Sequence, residues 1–594
     1  MDTNQIYNSI KKIDVSGKRQ NLSYTLTKNN KLENWDVMIP FGNYNTYPDI
    51  PIESVFSQNV KRAFDSLNLQ NINNVEIDIT NLYACTGDNL KALITGIVEK
   101  INKLEEHQTA TIRLLVGSQS EFNSESEKTP TLDSIVEAFF NAGITHRNTK
   151  FYWGNYSVSI QKEHISIKPF KVIIDRVLNE IKTYSENWYR KASKIWDDIE
   201  PELETFLNNL DIDQFTWNHS KCLAINGSVL LTGGANFHSV NFEPYNGNSV
   251  INQDIYVEGD AAKGVHNFCN YLWSYLNNIP KTDKTSWIKS AKITDKIDSF
   301  KKCNDAPMFS DSPNNINYGD KTVLGVAQIG DWRGFPSQIF PAIRDFILNL
   351  FYELFSKMFP EDFIIYILMC KSMSDEDPYF IDLLNSVGID AASWASRYSR
   401  VYSVKNAVSN IKLSQQTLIQ FYVFSSSEYM DIINKINHKF NLKWDGSLWP
   451  IDLLYAMGYA LSTMSHNTTS KNVGIEIICS FYNTGWKDII TGNQFKERLI
   501  ILMTAMQQLG LINPAQSVSD LVNQKCDYRR TTANVSYGNH CKMFLVDDNV
   551  LYIGSDNAYP QYNEQYGLWI DDEECIKSFI ENNWTYQIKY SKVG

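Results

Sequence analysis

The chain contains no run of the roughly eighteen consecutive apolar residues that a membrane-spanning helix needs, so no such span is expected anywhere along its 594 residues. Met1 to Val15 is polar and lacks the apolar centre of a secretory leader, which predicts a cytoplasmic protein, or one exported by a non-standard route. Cysteine is sparse and unpatterned: nine residues, an odd number with no CxxC pair, argue against a disulfide framework or a zinc site and predict reduced thiols. Positive charge is also short. Lys and Arg number 55 against 67 Asp and Glu, a net charge of -12. A nucleic-acid partner is therefore not expected, because the phosphate backbone dominates such affinity and calls for a basic surface. An anionic bilayer would attract this surface weakly too, so contact with lipid would rest on aromatic and apolar side chains or on zwitterionic head groups.

What the chain does have is ample core-forming material, 43% hydrophobic and 13% aromatic residues, enough for two or more cores at this length. It also has a constellation that occurs twice. The first copy runs His219, Lys221, Asn226, then Gly233-Gly234-Ala235-Asn236; the second runs His540, Lys542, Asp547, then Gly554-Ser555-Asp556-Asn557. After each His-x-Lys comes an apolar stretch that reads as a buried strand, Cys222 to Ile225 and Met543 to Val546. Alternation on a strand then puts His and Lys on one side. A second short strand follows in each copy, and the glycine that ends it allows the backbone to turn and to approach a ligand closely. Imidazole as nucleophile or acid-base, ammonium and amide as holders of anionic oxygen, brought together twice, suit a phosphodiester.

The surroundings of the two motifs repeat as well. Asn74 to Leu82 and Ser409 to Leu418 read as strands, each followed by a helical stretch and another apolar strand, Ile112 to Gly117 and Ile475 to Ser480. This order predicts an α/β fold of two similar lobes, each a mixed β-sheet flanked by helices, with the active site at the lobe interface. The expected division is 1–320 and 321–594, beside the turn-rich linker Asp311 to Asn315. Val172 to Leu210 and Phe340 to Met358 have no counterpart and read as amphipathic helices.

At these motifs the sequence resembles the phospholipase D superfamily, whose signature is a duplicated HxKxxxxD followed by G[GS]xN. The stretches Trp217 to Lys221, Thr232 to Asn236, Asp254 to Ala262, Leu413 to Gln416, Tyr552 to Pro560 and Trp584 to Tyr586 are similar to its actinomycete-secreted and murine-toxin branches. The resemblance implies hydrolysis of a glycerophospholipid such as phosphatidylcholine or phosphatidylethanolamine, at a membrane or micelle surface, to phosphatidic acid and head group. Transfer to another alcohol is implied too. A nucleic-acid phosphodiesterase or a phosphatidyl-transferring synthase is the alternative. The toxin branch further implies a bacterial virulence role.

By the same resemblance His219 is the nucleophile that becomes phosphohistidine, and His540 the acid-base. Lys221, Lys542, Asn236 and Asn557 hold the non-bridging oxygens, and no metal or other cofactor is needed. Asp254 is implied as the acceptor that orients His219. In the second half the corresponding position before Tyr566-Gly567 carries Gln565, with Glu564 next to it, so one of these two is expected to orient His540. Asn226 departs from the motif aspartate, at a position read as structural. Cys541 is expected in the core, turned away from His540 and Lys542 by strand alternation.

Overall fold

Two sets of strands with the same connectivity form the centre of the computed structural model. In the first, Asn74–Asn81, Thr109–Val116 and Thr149–Asn155 run parallel, with Gly87–Ile101 and Leu132–Asn141 as the helices between them. In the second, Asn410–Gln415, Gly474–Cys479 and Cys526–Thr531 do the same. The parallel arrangement buries strand ends that are continuously apolar, Leu114 to Val116 in Thr109–Val116 and Ile477 to Cys479 in Gly474–Cys479. The motif hairpin of each repeat, Cys222–Ile225 with Val229–Gly233 and Lys542–Val546 with Val550–Gly554, adds antiparallel to the first strand of its set. Asp254–Gly259 and Gln565–Ile570 then pair with the outer hairpin strands.

The structure describes residues 1–14, 17–32, 37–38, 55–69, 72–117, 131–162, 185–208, 212–237, 250–310, 316–329, 395–415, 451–467, 474–479, 492–531, 538–558 and 563–593, less a few single positions, together with isolated residues between 171 and 182 and His438. The linker Asp311 to Asn315 and the run Phe340 to Met358 lie outside them. Of Val172 to Leu210, Glu186–Asn208 is helical, as the pattern predicts.

Both sets belong to one 18-stranded mixed sheet flanked by helices. The join is made by Tyr24–Lys31, which pairs with Asp254–Gly259 and with Lys321–Gln328, and the latter pairs in turn with Gln565–Ile570. The N-terminal helix Thr3–Ile13, started by an Asp2–Gln5 capping box, buries Ile6, Ile10 and Ile13 among second-repeat residues such as Leu413, Leu453 and Trp569. Ser9 Oγ lies 2.8 Å from Tyr398 Oη. By packing, then, the first residues of the chain sit with the second repeat. No helix among the described residues is long and apolar enough to cross a membrane.

Turn chemistry sets the hairpins. Each loop opens on two left-handed residues, Asn226 and Gly227 (φ 51° and 59°) in the first copy and Asp547 and Asp548 (φ 55° and 52°) in the second. Asn and Asp tolerate that region and hydrogen-bond locally. Asn226 Oδ1 accepts from Glu76 N at 2.6 Å, and Asp547 Oδ1 accepts from Ser409 N at 2.9 Å and Val408 N at 3.1 Å. The motif position read as structural thus ties each hairpin to the first strand of its own set.

Candidate active site

The residue before each motif histidine fixes its backbone. Asn218 Nδ2 donates to Asn81 O at 3.1 Å, and its Oδ1 accepts from Ser220 N at 3.2 Å. Asn539 does the corresponding work in the second repeat: Nδ2 donates to Ile478 O at 3.0 Å and Oδ1 accepts from Cys541 N at 2.9 Å. Gly117 is small for a reason, since a Cβ there would overlap the Asn218 carbonyl.

Two short backbone contacts then bring the repeats together. Val250–Ile251 pairs in parallel with Gly538–Asn539, and Asn218 bridges to Glu564. His219 N donates to Glu564 O at 2.8 Å. Each contact delivers the residue after it to the histidine of the other repeat. Gln565 Oε1 lies 3.0 Å from His219 Nδ1, and Asn252 Oδ1 lies 2.9 Å from His540 Nδ1.

This crossing corrects the expected pairing. Asp254 does not orient His219: its Oδ1 accepts from Ala235 N at 3.1 Å and so supports the Gly233–Asn236 loop. Glu564 does not orient His540 either. Its carboxylate is buried between Tyr156 Oη at 3.1 Å and Thr216 Oγ1 at 2.9 Å, both hydroxyls donating to it. Gln565 does orient a histidine, but the first one. The register explains the outcome. Gly233 pairs with Asp254 and Gly554 with Gly567, so two residues before each partner lie Asn252 and Gln565, equivalent positions in the two repeats.

An amide oxygen accepts, which favours the tautomer with the proton on Nδ1 and the lone pair on Nε2; the backbone of Ser555 also hydrogen-bonds the His219 ring and that of Gly234 the His540 ring. Burial, above all, holds both histidines well below their ordinary pKa. Lys221 and Lys542 act on both rings in the same direction, and His219 acts on His540, which is how close the two sets stand. Each lysine folds back on its own histidine, Nζ donating to the carbonyl at 2.6 Å. Burial lowers both ammonium groups, Lys221 far below its ordinary value and Lys542 to about 7. Asp254 is pushed up to about 7 by the same cause.

The two asparagines that close the motifs are nearly inaccessible, Asn236 6% and Asn557 2% exposed. Their loops are held differently. In the first repeat the Asp254 carboxylate takes the Ala235 N–H, while in the second Arg400 Nη1 donates to the carbonyls of Asp556 at 3.1 Å and Asn557 at 2.9 Å. Arg400 Nη2 also stands 3.6 Å from the Asp556 carboxylate, whose pKa burial still raises. Cys222 and Cys541 are buried, and desolvation pushes their thiols up to about 11 and about 12, so neither is a ready nucleophile. No cluster of three or more metal-ligating side chains occurs among the described residues.

Asn252, Asn218, Asn539 and Arg400 were not among the residues expected from sequence. For the two asparagines before the histidines a signal existed, because Asn-His-x-Lys recurs in both copies. Asn252 is found only through the strand register, and Arg400 lies far from either motif in the chain.

No family model and no curated protein matches the chain. Among solved structures it is similar to a phosphatidylserine synthase from Haemophilus influenzae Rd KW20, at 10% identity over 100% of this chain and 92% of that one, with a TM-score of 0.39. It is also similar to a phospholipase D family member, Nuc, from Salmonella typhimurium, at 13% identity over 33% of this chain and 88% of that one, TM-score 0.18. A polyphosphate kinase from Porphyromonas gingivalis is matched at 9% identity over 93% of this chain and 50% of that one, TM-score 0.33. Likeness at these scores carries no argument about activity.

Proposed function

We propose that the chain is a phosphodiester-cleaving enzyme acting on glycerophospholipids, with the two repeats as lobes that share one site. The observation that carries this reading is the convergence of two His-Lys sets, each histidine held at Nδ1 by an amide from the opposite repeat. His219 Nε2 attacks phosphorus, the bond to the head-group oxygen breaks, and that oxygen takes the proton from Nε2 of protonated His540. Water then gives its proton back to His540 and attacks phosphorus. The P–N bond breaks, its electrons return to His219 Nε2, and phosphatidic acid leaves. Lys221, Lys542, Asn236 and Asn557 stabilise the charge on the non-bridging oxygens as the five-coordinate state forms. An alcohol in place of water gives transphosphatidylation by the same steps.

The test is product analysis on vesicles of phosphatidylcholine and of phosphatidylethanolamine, with chelator, in the presence and absence of glycerol or serine. Head-group release with phosphatidic acid as product supports the hydrolase, and a dominant phosphatidyl-alcohol product identifies a transferase. Cleavage of plasmid DNA with no lipid turnover refutes the lipid reading.

A further inference from the structure

The amide that orients His540 differs from its counterpart at His219 in what stands behind it. The chain turns through a π-helical segment, Ile580–Trp584, between the helices Glu573–Phe579 and Thr585–Lys589. That wider turn, a device that often marks functional sites, carries Asn583, fully buried. Asn583 Oδ1 accepts two hydrogen bonds. One comes from Gln253 Nε2 at 3.1 Å and the other from Gln587 Nε2 at 2.7 Å. Gln253 is the neighbour of Asn252, and its carbonyl also accepts from Gly234 N at 2.9 Å. On the other branch, Gln587 Oε1 accepts from Ser414 Oγ at 2.6 Å, and Ser414 Oγ accepts from Asn539 Nδ2 at 2.8 Å. Asn539 fixes the backbone at His540.

Both branches therefore end at one histidine, through Asn252 at its Nδ1 and through Asn539 at its backbone. Every side chain in the chain of contacts is no more than 1% exposed. In the first repeat Thr80 stands where Ser414 does in the strand register, and Ser220 Oγ donates to it at 2.8 Å; among the described residues no hydrogen bond carries this pair on to a helix. Within this buried chain Asn583 Nδ2 and Gln253 Oε1 have no hydrogen-bond partner among the described residues, while the bonds that are made tie Asn583 to both routes towards His540.

We propose that Asn583, on the C-terminal π-turn, is a positioning residue that sets the orientation of His540 from two sides, making the C-terminal segment part of the acid-base half of the site and not of the His219 half. The catalytic consequence rests on the two-histidine reading above, whereas the orientation does not. With histidine labelled in 15N, the ring of His540 in the wild type shows a proton on Nδ1 and none on Nε2 at neutral pH. Asn583→Ala is expected to replace that signature by averaged tautomers while leaving the His219 resonances in place. In turnover of a phosphodiester, the same variant loses about tenfold in kcat with KM within about threefold, the size expected of a modest misplacement.

The loss is non-additive with Asn252→Ala and additive with Gln565→Ala. Asn583→Asp, which keeps the acceptor used by both glutamines, restores most of the loss. Should Asn583→Ala not fold, Gln587→Met cuts only the Asn539 branch and is read the same way. Unchanged His540 resonances, or equal coupling to Asn252 and Gln565, overturns the proposal. A shifted His540 tautomer in a protein with no phosphodiesterase turnover leaves the positioning intact and removes the proposed function instead.

Discussion

Replacing the amide behind His540 by a carboxylate, Asn252→Asp, changes one charge and almost no volume. In the wild type an amide oxygen 2.9 Å from Nδ1 lends the ring no net charge, and burial keeps the His540 pKa well below 6.5. Because protonated His540 is needed to expel the alcohol, kcat/KM is expected to fall as pH rises through that depressed value, so its alkaline limb lies below about 6.5. A carboxylate about 4 Å from an imidazolium is worth about 4 kcal/mol at an effective dielectric constant of ~20. Part of that is offset because the carboxylate is buried too, which leaves a rise of about one to three pKa units. The alkaline limb should move up by that amount, and the acidic limb, set by deprotonation of His219, should stay. The assay is kcat/KM for a soluble phosphodiester across the pH range. Gln565→Glu is the mirror experiment, moving the acidic limb up and sparing the alkaline one. If Asn252→Asp leaves the alkaline limb in place, or shifts the acidic limb instead, the crossed assignment of the two amides is wrong.

Three other outcomes follow from the geometry. Lys542→Met should stabilise the fold while abolishing turnover: a folded pKa of about 7 against an ordinary 10.5 costs about 3 kcal/mol at pH 8, a cost that fades as pH rises through 10.5, and denaturation midpoints measured at pH 8 and pH 10.5 check the sign. Gly117→Ala drives a Cβ into the Asn218 carbonyl and should cost about 3 kcal/mol or more of stability, or displace His219 if the loop yields, read by thermal unfolding together with kcat. Asp547→Ala removes a carboxylate that accepts from Val408 N, Ser409 N and Asn410 N, so a loss of about 1–3 kcal/mol in stability is expected, with kcat within about threefold.

Much of this arrangement was legible in the residues. The duplicated spacing identified both hairpins, because a buried apolar pair of strands between His-x-Lys and a glycine has few other readings, and Asn74–Asn81 and Asn410–Gln415 were visible as strands with polar exits. The partners of the histidines were not. Asn252 and Gln565 act across the repeats through contacts between residues 288 and 346 positions apart, which no local pattern encodes. Asp254 was expected only because the resemblance implies an aspartate there, and its carboxylate accepts from the Ala235 N–H, two residues along from Asn252, the position that reaches the ring of His540. The N-terminal helix was not read from the sequence, where Met1 to Val15 registered only as polar; Ile6, Ile10 and Ile13 are buried against residues of the distant repeat, which no local pattern encodes.

The division of labour between the histidines is tested most directly by a burst experiment with a p-nitrophenyl phosphodiester, whose leaving group needs little proton. His540→Ala should release about one equivalent of p-nitrophenol per enzyme in a fast phase, with the phosphoryl group trapped on His219 as an acid-labile adduct, and then turn over slowly. His219→Ala should give no burst. A burst in His219→Ala, or none in a folded His540→Ala, would contradict the account.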